Sequence, residues 1–221
     1  QLRQAQILLG NSLNLASVMG VKTSIGWAWA YLGDTLFAMG DFDEARRAFA
    51  KAAGLARANG RMIAITLSDV FVIERHREVL KDFIDTQADL VFGNEAEIAA
   101  LYETDLASAL TAIESRVKIA AITLGAKGSV TLSGGRKYEV PAVPVEKVVD
   151  TTGAGDQYAA GFLLGLARGR PFADCARAGS IAAAVANARA IAGTRMVEIE
   201  VENLREFGEA LAARTDRIML D

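Results

Sequence analysis

Between residues 42 and 124 the sequence alternates helix-type segments with short apolar runs, and this alternation is the strongest constraint on the fold. The runs at 62–67, 89–93 and 118–124 are almost continuously apolar. Such runs are typical of strands that are buried on both faces. Helical segments lie between and around these runs. The order predicts an α/β fold in which a mostly parallel sheet is covered by helices on both faces.

After residue 124 the pattern changes. The stretches 129–133 and 137–140 flank Gly134 and Gly135 and predict a β-hairpin. Residues 155–168 and 173–192 are rich in alanine and predict two packed helices, and 201–214 predicts a charged amphipathic helix at the surface. Near the start of the chain, residues 26–52 fit the spacing of one tetratricopeptide helical hairpin.

Composition narrows the range of functions. The chain has 221 residues, a net charge of -3 and 52% hydrophobic residues, which favours a folded domain over disorder. The scattered charges give no electrostatic reason to expect nucleic acid, and no apolar run is long enough to predict a membrane span. Cys175 is the only cysteine, so an intrachain disulfide is excluded and we expect a cytoplasmic protein. The first residues lack an initiator Met and a signal-peptide pattern, so we expect the chain to begin inside something longer.

The segment from Asp150 to Asp156, Asp-Thr-Thr-Gly-Ala-Gly-Asp, carries the clearest chemical information. Small residues at 153–155 allow a sharp turn that presents consecutive N–H groups at a helix start, an arrangement that suits phosphate oxygens. Asp156 in the first turn would repel phosphate, so its expected partner is a neutral hydroxyl whose proton it accepts. The alternative is that Asp156 only caps the helix.

Two further motifs follow predicted strands. Asn94 and Glu97 are three residues apart at a strand end, where doubly wound folds bind ligands, and Glu97 is suited to hold Mg²⁺ through water. The alternative for this pair is a capping box. The turn from Gly125 to Gly128 would let a nucleotide approach the backbone, or would simply lead into the hairpin.

In their order and spacing, these motifs resemble the ribokinase-like (PfkB) family of carbohydrate and nucleoside kinases. The string 150–156, followed by Ala160-Gly161-Phe162, resembles the C-terminal signature of that family. The segment 66–71, Thr-Leu-Ser-Asp-Val-Phe, is most similar to the bacterial adenosine-kinase-like branch. The resemblance extends over about residues 31–191.

The resemblance implies a role for each matching residue. Asp156 would be the catalytic base, and Gly153, Ala154 and Gly155 would form the anion hole for the transferred phosphoryl group. Asn94 and Glu97 would serve the Mg²⁺ site. The positions expected to contact ATP are Gly125, Gly128 and Thr152, and Asp150 with Thr152 would help to bind a monovalent cation such as K⁺.

The N-terminal part departs from the family pattern. Residues 1–30 are expected to be a remnant of the sugar-binding and lid region, either truncated or with segments joined up, and 31–221 to be the ATP-binding α/β core. An open sheet edge would favour a homodimer. The expected function is transfer of the γ-phosphoryl of Mg-ATP to a hydroxymethyl group of adenosine. The alternatives are a sugar kinase for ribose, fructose or a related sugar, and a non-catalytic nucleotide-binding protein.

Overall fold

The structure is a computed structural model that describes residues 2–143, 153–192, 198–201 and 217–220 and the single positions 208, 210, 212 and 215. The chain divides into two compact units, Gln1–Ile63 and Ala64–Asp221. The boundary expected after residue 30 falls inside a helix. The assignment of 1–30 to a lid remnant stays a prediction.

The first unit consists of helices. They are α1 (Leu2–Met19), α2 (Lys22–Ala38) and α3 (Phe42–Ala58). α1 is continuous through residues 13–16, and α2 is continuous through residues 26–32. α2 packs on α3 around Leu36, Ala45 and Ala48, which are all buried. This packed pair is the arrangement that the helical-hairpin spacing predicts.

The second unit alternates strands and helices from residue 64 to residue 123. Its elements there are β1 (Ala64–Thr66), α4 (Val70–Thr86), β2 (Leu90–Asn94), α5 (Glu95–Tyr102), α6 (Leu106–Glu114) and β3 (Ile119–Thr123). The rest comprises β4 (Ser129–Ser133), β5 (Arg136–Val140), α7 (Ala154–Ala167), α8 (Phe172–Ala192), β6 (Glu198–Val201) and β7 (Arg217–Leu220). Side chains of Asp69, Asn94 and Asp105 cap α4, α5 and α6, each by accepting a bond from a first-turn N–H group.

The main sheet has the order β1-β2-β3-β4-β5. β1, β2 and β3 are mutually parallel, whereas β4 and β5 are antiparallel to their neighbours because the hairpin extends the sheet beyond β3. The sheet is therefore mixed, and the predicted α/β class is confirmed. β6 and β7 form a separate parallel pair.

Helices cover both faces of this sheet, as the apolar runs predict. On one face Val91, Ala120 and Ile122 join a buried cluster with side chains of α4, α5 and α6. On the other face Leu90, Phe92, Ile119 and Ala121 pack against α7 and α8. Because successive strand residues point to opposite faces, one run of apolar residues supplies both cores.

One prediction about a strand needs correction, and one predicted helix falls mostly outside the described residues. The run 62–67 does form a strand, but the prediction that it is buried was wrong, since Ala64 and Thr66 are exposed. β1 is the edge of the described sheet, and an apolar run cannot by itself reveal an edge position. The predicted helix at 201–214 falls mostly outside the described residues, and β6 and β7 were not predicted. Among the described helices, none has the length and apolar character needed to cross a membrane.

Candidate active site

Asn94 and Glu97 form a reciprocal pair at the carboxyl end of β2. The Asn94 backbone N–H donates to Glu97 Oε2 at 3.0 Å, and Asn94 Nδ2 donates to Glu97 Oε1 at 2.7 Å. The backbone N–H of Glu97 donates to Asn94 Oδ1 at 2.9 Å. The capping-box alternative is therefore correct as geometry. It leaves lone pairs on both carboxylate oxygens, so the same pair can still accept bonds from metal-bound water.

Glu97 is a buried carboxylate. Glu97 is only 8% exposed, and this burial raises the pKa of its carboxyl group above the ordinary value of 4.5. The bonds from Asn94 lower that pKa, whereas the negative charge of Asp69 raises it. A second carboxylate, at the carboxyl end of β1, therefore acts on Glu97 at the carboxyl end of β2. A divalent cation held through water would relieve both the burial and the repulsion.

Asp69 was not among the candidate site residues inferred from sequence. It follows Ser68, whose φ of 71° lies in the left-handed region that a residue other than glycine seldom adopts. Asp69 Oδ1 accepts a bond from the N–H of Phe71 and so caps α4. Residues held in such backbone conformations cluster at functional sites. The sequence alone contains no pattern that reveals this backbone angle.

The turn after β3 lies beside the same sheet edge. Thr123 Oγ1 donates to the carbonyl oxygen of Gly93 at 3.4 Å, and Lys127 Nζ lies 3.6 Å from Glu95 Oε2 in the first turn of α5. Gly125 and Gly128 both have positive φ, 58° and 102°. Glycine permits this tight turn, in which residues 125–127 are exposed and Lys127 contacts Glu95, the residue after Asn94.

The N-terminus of α7 carries the predicted anion hole and base. Gly153 is the N-cap residue, in a left-handed conformation with φ of 76° and ψ of 0°. The N–H of Gln157 makes a helical bond to Gly153 O at 3.0 Å, so the preceding N–H groups have no partner within the helix. Ala154, Gly155 and Asp156 occupy this first turn, and the Asp156 side chain is exposed. The geometry offers amide donors and one carboxylate at the same helix end.

Tyr158 shows which edge of the sheet α7 approaches. Burial raises the pKa of Tyr158 to about 12, and the nearby hydroxyls of Ser129 and Thr131 oppose this only weakly. None of these three buried hydroxyls makes a hydrogen bond within the described part of the structure. Ser129 pairs with Thr123, and Thr123 pairs with Asn94. The first turn of α7 therefore lies on the same side of the sheet as the carboxyl ends of β2 and β3, where doubly wound folds bind ligands.

The structure describes most of the predicted site. It brings Asn94, Glu97 and the 125–128 turn together and directs the start of α7 to the same sheet edge. Asp150 and Thr152 lie outside the described residues. Within the described part of the chain, no group of three or more His, Cys, Asp or Glu side chains could hold a metal.

The sheet, its two helix layers and the glycine-led start of α7 define a ribokinase-like α/β domain. The chain belongs to the pfkB family of carbohydrate kinases, because the model of that family matches residues 42–197.

Individual relatives differ in their named substrates. A cytidine kinase from Thermococcus kodakarensis is 33% identical over 131 residues, covering 57% of this chain and 46% of the relative. The crystal structure of an adenosine kinase from Sinorhizobium meliloti matches with a TM-score of 0.66 and 41% identity over 77% of this chain and 49% of that one. A probable sugar kinase from Rhizobium etli matches with a TM-score of 0.63 and 41% identity, covering 65% and 44% of the two chains. The chain thus spans about half the length of these relatives.

Proposed function

We propose that this chain is an ATP-dependent phosphotransferase that moves the γ-phosphoryl group of ATP to a hydroxymethyl group of a nucleoside, with adenosine as the first-choice acceptor. The observation that carries the proposal is the start of α7, where amides that have no partner within the helix and the exposed Asp156 carboxylate share one helical turn. Amides suit a transferred phosphoryl group and the carboxylate suits the attacking hydroxyl.

In the proposed transfer, each bond that forms is matched by one that breaks. As the acceptor oxygen forms its bond to phosphorus, Asp156 accepts the hydroxyl proton, and the bond between the γ-phosphorus and the bridging oxygen of ADP breaks. The N–H groups of Gly153, Ala154 and Gly155 stabilise the charge on the transferred group. Positioning and charge stabilisation account for most of the rate, because a loose phosphoryl transition state needs little covalent help.

Glu97 and Asn94 are the residues proposed to hold Mg²⁺ through water, and Asp69 adds a second negative charge nearby. The cation would neutralise phosphate charge during transfer. Gly125 and Gly128 are proposed to lie along bound ATP. Thr152 is proposed to contact ATP as well. A monovalent cation at Asp150 and Thr152 stays a prediction.

Nucleoside and sugar acceptors are both supported by similar proteins. Adenosine is favoured by the 66–71 segment and by the 41% identity to an adenosine kinase, but a probable sugar kinase is equally similar. Ribose and fructose are therefore the alternative acceptors. A non-catalytic nucleotide-binding protein is the other alternative, since the chain spans about half of its relatives.

Phosphoryl transfer from Mg-ATP by the purified chain tests the proposal. The acceptors are adenosine, cytidine, ribose and fructose, with a no-acceptor control. Asp156→Asn should reduce turnover by at least about a thousandfold while ATP binding changes less than fivefold. Asp43→Asn, which changes another exposed carboxylate in a first helical turn, should have no effect. ATP binding without turnover on any acceptor would favour the non-catalytic alternative.

A further inference from the structure

Arg77 of α4 makes two contacts at the C-terminal end of α5. Its Nε donates to the carbonyl oxygen of Ala100 at 3.0 Å, and its Nη1 lies 2.9 Å from Glu103 Oε1. The Arg77 side chain is 22% exposed, so the guanidinium is largely enclosed between the two helices. Arginine is suited to this place because its rigid fork can serve two acceptors at once.

At the C-terminal end of α5, the carbonyl oxygen of Ala100 lacks the N–H donor that a longer helix would supply. The N–H groups of Glu103 and Thr104 both bond to Ala99 O, so the N–H that a continuing helix would direct at Ala100 O points elsewhere. Glu103 adopts the left-handed conformation, with φ of 54°, in which glycine would normally end a helix. Arg77 supplies the missing donor to Ala100 and also holds the side chain of the strained Glu103.

The other end of α5 is closed by the Asn94–Glu97 pair. The helix has eight residues and is about 12 Å long, and Glu97 and Ala100 are one turn apart in it. A helix this short has little stability of its own, so its ends decide where its side chains lie. The Asn94–Glu97 contacts fix Glu97 relative to β2, whereas the Arg77 contacts fix the opposite end relative to α4.

A break in α4 next to Arg77 also fixes the position of this side chain relative to α5. α4 departs from helical geometry at His76, which has φ of -126° and ψ of 22°, directly before Arg77. Ile73 and Ile84, on either side of this break, are completely buried in one core cluster with Ile98 and Leu101 of α5. The bent helix therefore holds Arg77 in a fixed relation to the end of α5.

We infer that Arg77 is a positioning residue for Mg²⁺ binding at Glu97, acting through α5; this inference rests on the proposed function. Arg77 itself contacts neither the nucleotide nor the metal. Its loss lets the C-terminal end of α5 fray, and this fraying weakens the Asn94–Glu97 contacts that hold the carboxylate where it accepts bonds from metal-bound water. The expected consequence is a weaker response to Mg²⁺ with an unchanged chemical step.

The test compares Arg77→Ala with three other variants. Arg75→Ala removes an exposed arginine two residues away, and Ile84→Val lowers stability through the core cluster that α4 shares with α5 while leaving both Arg77 contacts in place. Arg77→Lys keeps the charge but loses the fork. The first readout is the Mg²⁺ concentration for half-maximal velocity at saturating ATP and acceptor, and the second is amide hydrogen exchange across residues 95–103.

Arg77→Ala should raise the half-maximal Mg²⁺ concentration at least fivefold, leave the rate at saturating Mg²⁺ within twofold, and accelerate exchange across 95–103. Arg77→Lys should lie between Arg77→Ala and the unchanged chain. Arg75→Ala and Ile84→Val should change neither readout. If Ile84→Val, at an equal loss of melting temperature, shifts the Mg²⁺ curve as much as Arg77→Ala, or if exchange at 95–103 is unchanged in Arg77→Ala, the inference is overturned.

A failure of the kinase proposal is recognised separately. If the unchanged chain shows no turnover, Mn²⁺ binding in the presence of ATP, followed by the electron paramagnetic resonance of free Mn²⁺, replaces the velocity readout. A fivefold weaker Mn²⁺ affinity in Arg77→Ala then supports the positioning role although the kinase proposal has failed. Equal Mn²⁺ affinities in Arg77→Ala and Arg75→Ala overturn it.

Discussion

Gly128 lies directly against the carbonyl oxygen of Val140, and a Cβ on Gly128 would come within 2.0 Å of that oxygen. The backbone of Pro141 and Ala142 is also within 2.7 Å of the same point. Because these are backbone atoms, they cannot rotate away as a side chain would. The contact ties the turn after β3 to the end of β5.

Gly128→Ala should therefore destabilise the protein by at least about 3 kcal/mol, since it adds this collision to an unfavourable φ. Chemical denaturation monitored by circular dichroism measures the change. Gly125→Ala is the matched control, because Gly125 also has positive φ but its Cβ would meet open space. It should cost only about 1 kcal/mol, and equal losses in the two variants would contradict the collision argument.

Gly161 allows α7 and α8 to pack closely. A Cβ there would lie 2.5 Å from the carbonyl oxygen of Ala178 and 2.8 Å from the Cα of Gly179. Gly161→Ala should separate the two helices and lower the free energy of unfolding by about 1–3 kcal/mol. Gly155→Ala, in the same helix but facing open space, should change it by less than about 1 kcal/mol. A Gly161→Ala variant as stable as the unchanged chain would show that α7 and α8 can part without cost.

Glu97→Gln tests the metal role of the buried carboxylate. The variant removes the charge that would attract Mg²⁺ and one of the two bonds accepted from Asn94. The half-maximal Mg²⁺ concentration for turnover should rise at least about tenfold, which is about 1.4 kcal/mol of binding free energy. Glu95→Gln, which only breaks an exposed contact with Lys127, should change it less than twofold. Identical Mg²⁺ curves for the two variants would remove Glu97 from the site.

The raised pKa of Glu97 predicts a dependence on pH. Between the ordinary pKa and the raised one, the folded chain holds a proton that the unfolded chain has lost. Without metal, the contribution of Glu97 to the free energy of unfolding should therefore decrease as the pH rises through this interval. Mg²⁺ binding should show the opposite trend and weaken on acidification, because the ionised carboxylate is required.

Urea denaturation in a chelator between about pH 4 and pH 8 measures the first trend, and Mg²⁺ titration over the same range measures the second. Glu97→Gln should remove the pH dependence caused by Glu97 from both the urea denaturation and the Mg²⁺ titration. Asp69→Asn removes one cause of the raised pKa, so it should move the Mg²⁺ transition to lower pH. A transition that stays at the same pH in Asp69→Asn would mean that burial and the bonds from Asn94 set the pKa of Glu97 without Asp69.

Local sequence chemistry predicts much of this fold and part of the site. Apolar runs locate β2 and β3, and Asn94 predicts the start of α5, because strand burial and helix capping depend on residues close together in the chain. The capping box and the Mg²⁺ interpretation of Asn94 and Glu97 are compatible, so the sequence could not choose between them. The burial of Glu97 and the nearby charge of Asp69, which the structure reveals, add the physical reason for a cation.

Other features depend on contacts between distant segments. The effect of Asp69 on Glu97 arises from the parallel pairing of β1 with β2, and the bond from Arg77 to Ala100 joins two helices that β2 separates in the chain. The edge position of β1 is likewise a property of the assembled sheet. No periodicity in the sequence encodes these relationships, since each is set by strand order and helix packing.

The order β1-β2-β3-β4-β5 of the main sheet is also the order in which these strands occur in the chain. Each strand therefore pairs with one that has already been synthesised, and the sheet can grow by one strand at a time from its β1 edge. Such short separations between contacting segments reduce the entropy lost in closing each loop. The half of the site formed by β1, β2 and α5 can thus assemble on the ribosome before α7, which carries Asp156, has left the exit tunnel.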